Sequence, residues 1–253
     1  MPEKKITDMR KLFPELFLTS LCLLILSCNR EDGKCFSSFG QVVTETRETG
    51  SFDSIAVYDY VNVFLIQDTL DQVTVETGRN IIQGISTTVV NRQLQIRNYN
   101  QCNWLRDYSK PVNVHVSVKN LHKIFYNSSG NLITLNAISS DNLWVDLWGG
   151  CGSVDITLNI HSGTFIQHQG TADLTLRGLC RICSLYAGDF GPFRCENLVT
   201  GYTFITSSSS NDCYVMAERV LDVTILSVGN VYFRGDPDTL RVKIQGSGKL
   251  IPY

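Results

Sequence analysis

Apolar and polar residues alternate along much of this chain, and the alternation returns at a regular interval. Its three clearest copies are Leu143–Gly150, Leu221–Gly229 and Leu240–Gly248. In the second copy the apolar residues Leu221, Val223 and Ile225 are two positions apart, with polar residues between them. This spacing puts the apolar side chains on one side of an extended chain, so each copy predicts a half-buried β-strand.

The interval between small-residue corners predicts a stacked repeat. The corners are Gly130, Gly150, Gly170, Gly188, Ser208, Gly229 and Gly248, on average just under 20 residues apart. A second strand follows each corner, and Asp155–Leu158 and Asp173–Leu176 are near copies of it. Strands one repeat apart would run parallel, and each coil would bury its apolar side against its neighbours. We therefore predict an all-β fold, a parallel right-handed β-solenoid with about 20 residues per coil.

The first half of the expected domain is less regular than the second. Its clearest alternating segment carries Val112, Val114, Val116 and Val118. The segments before it do not recur at about 20 residues. We divide the predicted domain, residues 51–253, into an irregular part at 51–126 and regular repeats at 127–253. The irregular part would cap the coil, because bare strand edges invite aggregation.

The N-terminus has the features of a secretory signal peptide. Basic residues precede an apolar run at Leu16–Leu26, which is shorter than the ~20 residues that span a bilayer. The run leads into Leu26-Ser27-Cys28, which resembles a bacterial lipobox with Cys28 as the acylated first residue of the mature chain. Cys22 is a competing site preceded by a large leucine, and an ordinary signal peptide is the alternative. We predict a lipoprotein signal peptide at 1–27 and a lipidated polar tether at 28–50.

The residues after Cys28 suggest where the lipid would hold the protein. Asn29-Arg30-Glu31-Asp32 places two acids after a basic residue. This arrangement resembles the surface-export signal of Bacteroidota lipoproteins. The resemblance implies an anchor in the outer membrane with the protein facing outward, so the membrane is one expected partner.

The order of segments resembles a known family. The segments are Phe52-x-x-Ile55-x-Val57, Val61-x-Val63-x-Leu65, Val73-x-Val75, Leu94-x-Ile96, a valine-rich strand and Gly-paced repeats ending Ile244-Gln-Gly-Ser-Gly-Lys-Leu250. This order is similar to the head-GIN domain family of auto-transporter adhesins, from about Phe52 to the C-terminus. The resemblance implies an all-β fold of stacked parallel strands and an adhesive function without established catalytic residues. Corners such as Trp148-Gly-Gly and His168-Gln-Gly depart from the family's Ser-Gly-Ser-Gly pattern.

Residues 98–110 carry three aromatic residues without strand spacing, Tyr99, Trp104 and Tyr108. This pattern predicts a protruding loop, and exposed aromatic rings are common in the recognition of sugars and proteins. The alternative, which we favour, is that the rings pack on the flank of the solenoid, because large apolar rings are usually buried.

Three aspartates are the best candidates for an enzyme. Asp155 and Asp173 occupy matching positions in the near copies, and Asp146 lies on the preceding strand. Carboxylates stacked about 5 Å apart would raise each other's pKa or hold a cation, as in solenoid enzymes that cleave polysaccharides. The simpler interpretation is that an aspartate at a corner accepts backbone hydrogen bonds. We favour it because no Arg or Lys repeats beside these acids to complete a catalytic site.

Seven cysteines follow Cys28, an odd number that excludes complete pairing within one chain. Cys180-Arg-Ile-Cys183 has redox or metal-ligand spacing, but its surroundings have a strand pattern, in which positions three apart point to opposite sides. We favour buried thiols, then one or two disulfides, then a metal site. The sequence indicates no third ligand that would make His161 and His168 a metal pair.

Charge and motifs narrow the function. The formal net charge of −2 argues against a nucleic-acid partner, which favours a basic surface. The sequence has no nucleophile elbow, phosphate loop or dinucleotide fingerprint, so we expect no cofactor, no metal and no enzymatic activity. The candidate binding surface for a glycan or envelope polymer comprises Tyr99, Trp104, Tyr108, Asp146, Asp155 and Asp173. We expect a surface-exposed adhesin, with a polysaccharide-active enzyme and a structural envelope protein as alternatives.

Overall fold

The computed structural model describes residues 38–100 and 110–253, whose strands pair into a single 18-stranded sheet that winds as a coil. The strands are β1 (Val42–Arg47), β2 (Ser54–Asp59), β3 (Asn62–Gln67), β4 (Gln72–Gly78), β5 (Ile85–Val90), β6 (Gln93–Asn98), β7 (Asn113–Val118), β8 (Lys123–Ser128), β9 (Leu132–Thr134), β10 (Ile138–Gly150), β11 (Ser153–Gly170), β12 (Asp173–Asp189), β13 (Phe193–Ser209), β14 (Cys213–Met216), β15 (Val220–Ile225), β16 (Val231–Arg234), β17 (Thr239–Ile244) and β18 (Leu250–Pro252). A 3₁₀ turn lies at Ile82–Gly84. Within the described residues, no helix is long and apolar enough to cross a membrane.

Parallel pairing one coil apart organises the second half of the chain. β11 pairs with β12 from Ser153 opposite Asp173 to Gln167 opposite Ala187, a register of 20 residues. β10, β13 and the shorter strands β14 to β18 continue the same parallel stacking. The predicted parallel β-solenoid with about 20 residues per coil is therefore confirmed. The right hand of the coil stays a prediction.

Each regular coil supplies two strand segments that share one core. In β11 the first segment buries Val154, Ile156 and Leu158, and the second buries Phe165. Alternate side chains of both segments therefore meet inside, and the residues between them face outward on two opposite sides. We call the outward side of Trp144–Leu147 and of the strand segments stacked on it the aromatic face. The outward side of the first segments, such as that of β11, is the opposite face.

The first half is irregular, as predicted, because antiparallel strands enter it. β4 pairs antiparallel with β1 and β7, and β5 pairs antiparallel with β6, whereas β2 and β3 join the parallel stack. The prediction of a tether through residue 50 is wrong for β1, which belongs to the fold. Arg47 fixes this strand by donating hydrogen bonds to the carbonyl oxygens of Ile82, at 3.1 Å, and Ile85.

Four of the five described cysteines are buried thiols, as favoured from the sequence: Cys180, Cys183, Cys195 and Cys213. Cys151 is exposed, contrary to that expectation. Cys180 and Cys183 do not point to opposite sides, because the strand turns between them. Arg181 lies outside the ladder that pairs the residues on both sides of it, and this corner brings both thiols into the core. Cys35 and Cys102 lie outside the described residues.

Candidate functional site

Two outward columns of side chains form the aromatic face. The strand pairing aligns the first column as Lys123, Trp144, Thr164, Ser184, Phe204, Asp222 and Arg241. It aligns the second as Phe125, Asp146, Ile166, Tyr186, Thr206, Thr224 and Lys243. Since parallel strands lie about 4.8 Å apart, each column is a ladder along the axis of the coil. Basic residues lie at the ends of these columns, and aromatic and hydroxyl side chains occupy the middle.

Four large rings of the aromatic face are partly exposed on successive coils. Trp144, Trp148, Tyr186 and Phe204 keep between 39% and 42% of their surface open to solvent. Trp144 and Phe204 are three strands apart in one column, a distance of about 14 Å. A shallow depression of about 230 Å³ lies beside Tyr186 and Phe204 and is floored by serine and threonine side chains. The face therefore alternates flat apolar surfaces with hydroxyl groups.

Asp146 lies on the aromatic face and supports a tryptophan indirectly. His168 Nε2 lies 2.8 Å from Asp146 Oδ1, and the imidazole stacks on Trp148 with 4.0 Å between ring centroids. Asp146 Oδ1 accepts no hydrogen bond, so the contact is electrostatic rather than a directed hydrogen bond. With its side chain only 14% exposed, Asp146 is better placed to hold His168 against Trp148 than to reach a ligand.

Asp155 and Asp173 are not stacked on each other, and the predicted carboxylate ladder is wrong. Asp155 pairs with Thr175, and Asp173 pairs with Ser153, so the two acids are displaced by two residues along the strands. The near copies in sequence are 18 residues apart, whereas the register here is 20. Asp155 instead forms an ion pair with Arg177 on the neighbouring coil. Both acids lie on the opposite face, away from Asp146.

The predicted aromatic loop is described only at its first residues. Tyr99 follows β6 directly, its amide donates to Gly84 O at 2.8 Å, and its side chain is 66% exposed. For Tyr99 the favoured packing on the flank is therefore wrong. Trp104, Tyr108 and the predicted lipidation site Cys28 lie outside the described residues.

The aromatic face itself was missed from the sequence, although a signal for it was present. Trp144 and Trp148 occupy positions that alternate with the buried Val145 and Leu147. The alternation therefore already assigned the two tryptophans to the outward side of β10. Tyr186 and Phe204 could be added only with the register, which places them in the same two columns.

A parallel β-solenoid with a ladder of exposed rings on one face is a scaffold that displays a binding surface. The chain belongs to the head-GIN domain family, since the family model described as "putative auto-transporter adhesin, head GIN domain" matches residues 51–237. The family resemblance stated from the sequence is thereby confirmed. This family is described as adhesive and therefore suggests a protein of the cell surface. No curated protein matches the chain.

Solved structures with low sequence identity share the fold. A "putative adhesin" from Bacteroides fragilis is 20% identical, with a TM-score of 0.78 over 84% of this chain and 97% of that one. A "putative lipid binding protein" from Parabacteroides distasonis is 16% identical, with a TM-score of 0.61 over 85% and 97%. A "putative adhesin" from Parabacteroides merdae is 14% identical, with a TM-score of 0.60 over 84% and 97%. At these identities the likeness concerns the fold alone.

Proposed function

We propose that the protein is a bacterial cell-surface adhesin that binds glycan chains without catalysis along the aromatic face. The observation that carries this proposal is the set of four partly exposed rings on successive coils, Trp144, Trp148, Tyr186 and Phe204. Single exposed apolar residues are ordinary on protein surfaces, but several large rings on one face mark an interaction surface.

The chemistry of this face suits a sugar polymer. Aromatic rings offer flat apolar contact to the C–H side of a pyranose, and the intervening serine and threonine hydroxyls can donate and accept hydrogen bonds with sugar hydroxyls. Each contact is weak, but rings at several levels of the coil can engage several units of one chain. Linked weak contacts of this kind give a useful overall affinity.

The separation of the aspartates favours binding over the enzymatic alternative. Asp146 is held against His168 on the aromatic face, and Asp155 is paired with Arg177 on the opposite face. Acid catalysis of glycosidic cleavage needs two carboxyl groups that flank one bond, about 5 to 10 Å apart. These acids lie on opposite sides of the core, so the proposed function assigns no catalytic role to them.

The proposal predicts that removing the two tryptophans weakens glycan binding. The full chain is screened on an array of bacterial and host oligosaccharides, and a bound oligosaccharide is then titrated by calorimetry. We expect Trp144→Ala with Trp148→Ala to lower its affinity about tenfold or more, because exposed aromatic residues dominate such surfaces. Thermal unfolding should change little, since both rings are partly exposed.

The control for this experiment is Leu179→Ala, which shortens a side chain that is 53% exposed at a corner between the two faces. This variant should bind like the parent. Equal affinity of the double tryptophan variant and the parent would contradict binding along the aromatic face.

We further propose that Cys28 carries the lipid that holds the adhesin on the cell. Its support is the lipobox-like Leu26-Ser27-Cys28 and the following basic-acidic segment. In cells fed a labelled fatty acid, Cys28→Ala should remove the label and Cys22→Ala should retain it. Loss of label only from Cys22→Ala would assign the anchor to the competing site.

A further inference from the structure

A second groove lies at a corner of the opposite face, about 400 Å³ in volume. It is built by three successive coils. Asp173 begins β12, Arg194 is on β13, and Tyr214 is on β14, directly opposite Arg194 in the register. Phe190 and Asp212 line it from the corners before β13 and β14.

Phe190 is exposed by design of the corner rather than by a loose loop. Its side chain is 54% exposed, yet its carbonyl oxygen accepts a hydrogen bond from the Asn211 side chain. The preceding Asp189 has a positive φ of 61° and accepts Gly170 N at 2.7 Å through its carboxylate. A carboxylate that bonds to a neighbouring coil holds this uncommon backbone conformation. The corner therefore presents a large apolar ring to solvent from a fixed backbone.

The other wall of the groove is also ordered. Tyr214 stacks on Tyr232 with 4.9 Å between centroids, and Asp212 Oδ1 accepts Asn230 N at 2.9 Å. Leu174, Phe193 and Cys213 are in register, so Asp173 and Asp212, each one residue earlier, lie two strands or about 10 Å apart. This span leaves room for a small ring-shaped ligand between the two carboxylates.

The charged groups of the groove are not paired with one another. Among the described residues, Asp173, Arg194 and Asp212 take part in no ion pair. The carboxylates remain able to accept hydrogen bonds from hydroxyls, and the guanidinium remains able to donate them. Two acids and one base give the groove a local charge of −1, which disfavours an anionic ligand.

We propose that this corner groove binds a single neutral pyranose, such as a terminal hexose. Its C–H side would pack on Phe190 and Tyr214, and its hydroxyls would bond to Asp173, Asp212 and Arg194. The volume lies within the usual range for small-ligand sites. This site does not depend on the aromatic face, because the two lie on opposite sides of the coil.

The test uses saturation-transfer NMR on the full chain with methyl glycosides of glucose, galactose, mannose and N-acetylglucosamine, and with methyl glucuronoside as the anionic probe. We expect transfer from at least one neutral glycoside with a millimolar Kd, and weaker transfer from the glucuronoside. Phe190→Ala and Asp173→Asn should each weaken binding about fivefold or more. Trp148→Ala should leave it unchanged, which separates this site from the aromatic face.

The matched control is Arg177→Gln, which removes an exposed charge on the same face but outside the groove. It should bind like the parent. The assignment is overturned if no neutral glycoside shows transfer, if Phe190→Ala binds as tightly as the parent, or if the glucuronoside binds best.

Discussion

At the scale of single residues, the corners are held by side chains that accept backbone hydrogen bonds from the next coil. Asn62 Oδ1 accepts Asn131 N at 3.0 Å, and Asn131 Oδ1 accepts the first amide of β11 at 3.2 Å. Asp212 and Asn230 do the same in the last coils, at 2.9 and 3.0 Å. A turning strand leaves amides without a ladder partner, and these oxygens satisfy them. The corner role that we favoured for the aspartates is therefore carried mainly by asparagines.

Gly178 is a residue whose side chain is excluded by close stacking of coils. Its φ is +97°, and an added Cβ would lie 2.1 Å from Leu158 O on the preceding coil. Gly178→Ala should therefore lower the free energy of unfolding by about 3 kcal/mol, through backbone strain and displacement of β11. Urea unfolding followed by circular dichroism measures this loss.

Gly50→Ala is the control, because a Cβ at Gly50 meets nothing within 4 Å. It should change the free energy of unfolding by no more than about 0.5 kcal/mol. A similarly small effect of Gly178→Ala would show that the coils can separate to admit a methyl group.

At the scale of elements, the sequence predicted strands well where one coil repeats the next. Alternation and an interval near 20 residues suffice there, because each strand pairs with its equivalent one coil away. In the first half the neighbours differ in direction, and antiparallel partners such as β1 and β4 have no repeat to reveal them. β1 also reads VVTETR, in which polar residues outnumber apolar ones, so it was assigned to the tether.

Register is the element-level property that the sequence could not supply for the candidate site. Asp155 and Asp173 looked equivalent because the motifs around them match, yet the coil inserts two residues between these copies. The aromatic face shows the opposite case. Trp144 was already outward by alternation, but its alignment with Phe204 requires the offsets of three successive strand pairs. Local pattern gives the side of a strand, and only the assembled coil gives its neighbours.

At the scale of the whole molecule, one continuous core supports two outward surfaces with different chemistry. The aromatic face is broad and shallow, and the corner groove of the opposite face is smaller in extent and charged. Because every coil contacts mainly its neighbours, outward residues can change without disturbing strand pairing. The same division means that global stability depends on inward residues, including thiols that occupy core positions on successive coils.

Stability of the molecule should fall in alkali because these thiols are buried. Burial raises the pKa of the Cys213 thiol from 9.0 to about 11 and raises that of Cys195 well above its ordinary value. Between pH 9 and 11 the unfolded chain releases the Cys213 proton while the folded chain retains it, so the unfolded state gains stability as pH rises. For Cys213 alone the free energy of unfolding should drop by about 3 kcal/mol across this window, and it should be unaffected below pH 9. Urea unfolding under reducing conditions at several pH values measures the slope, and Cys213→Ser, which does not titrate there, should make it shallower. A variant with the parent's slope would show that this thiol already ionises in the folded coil.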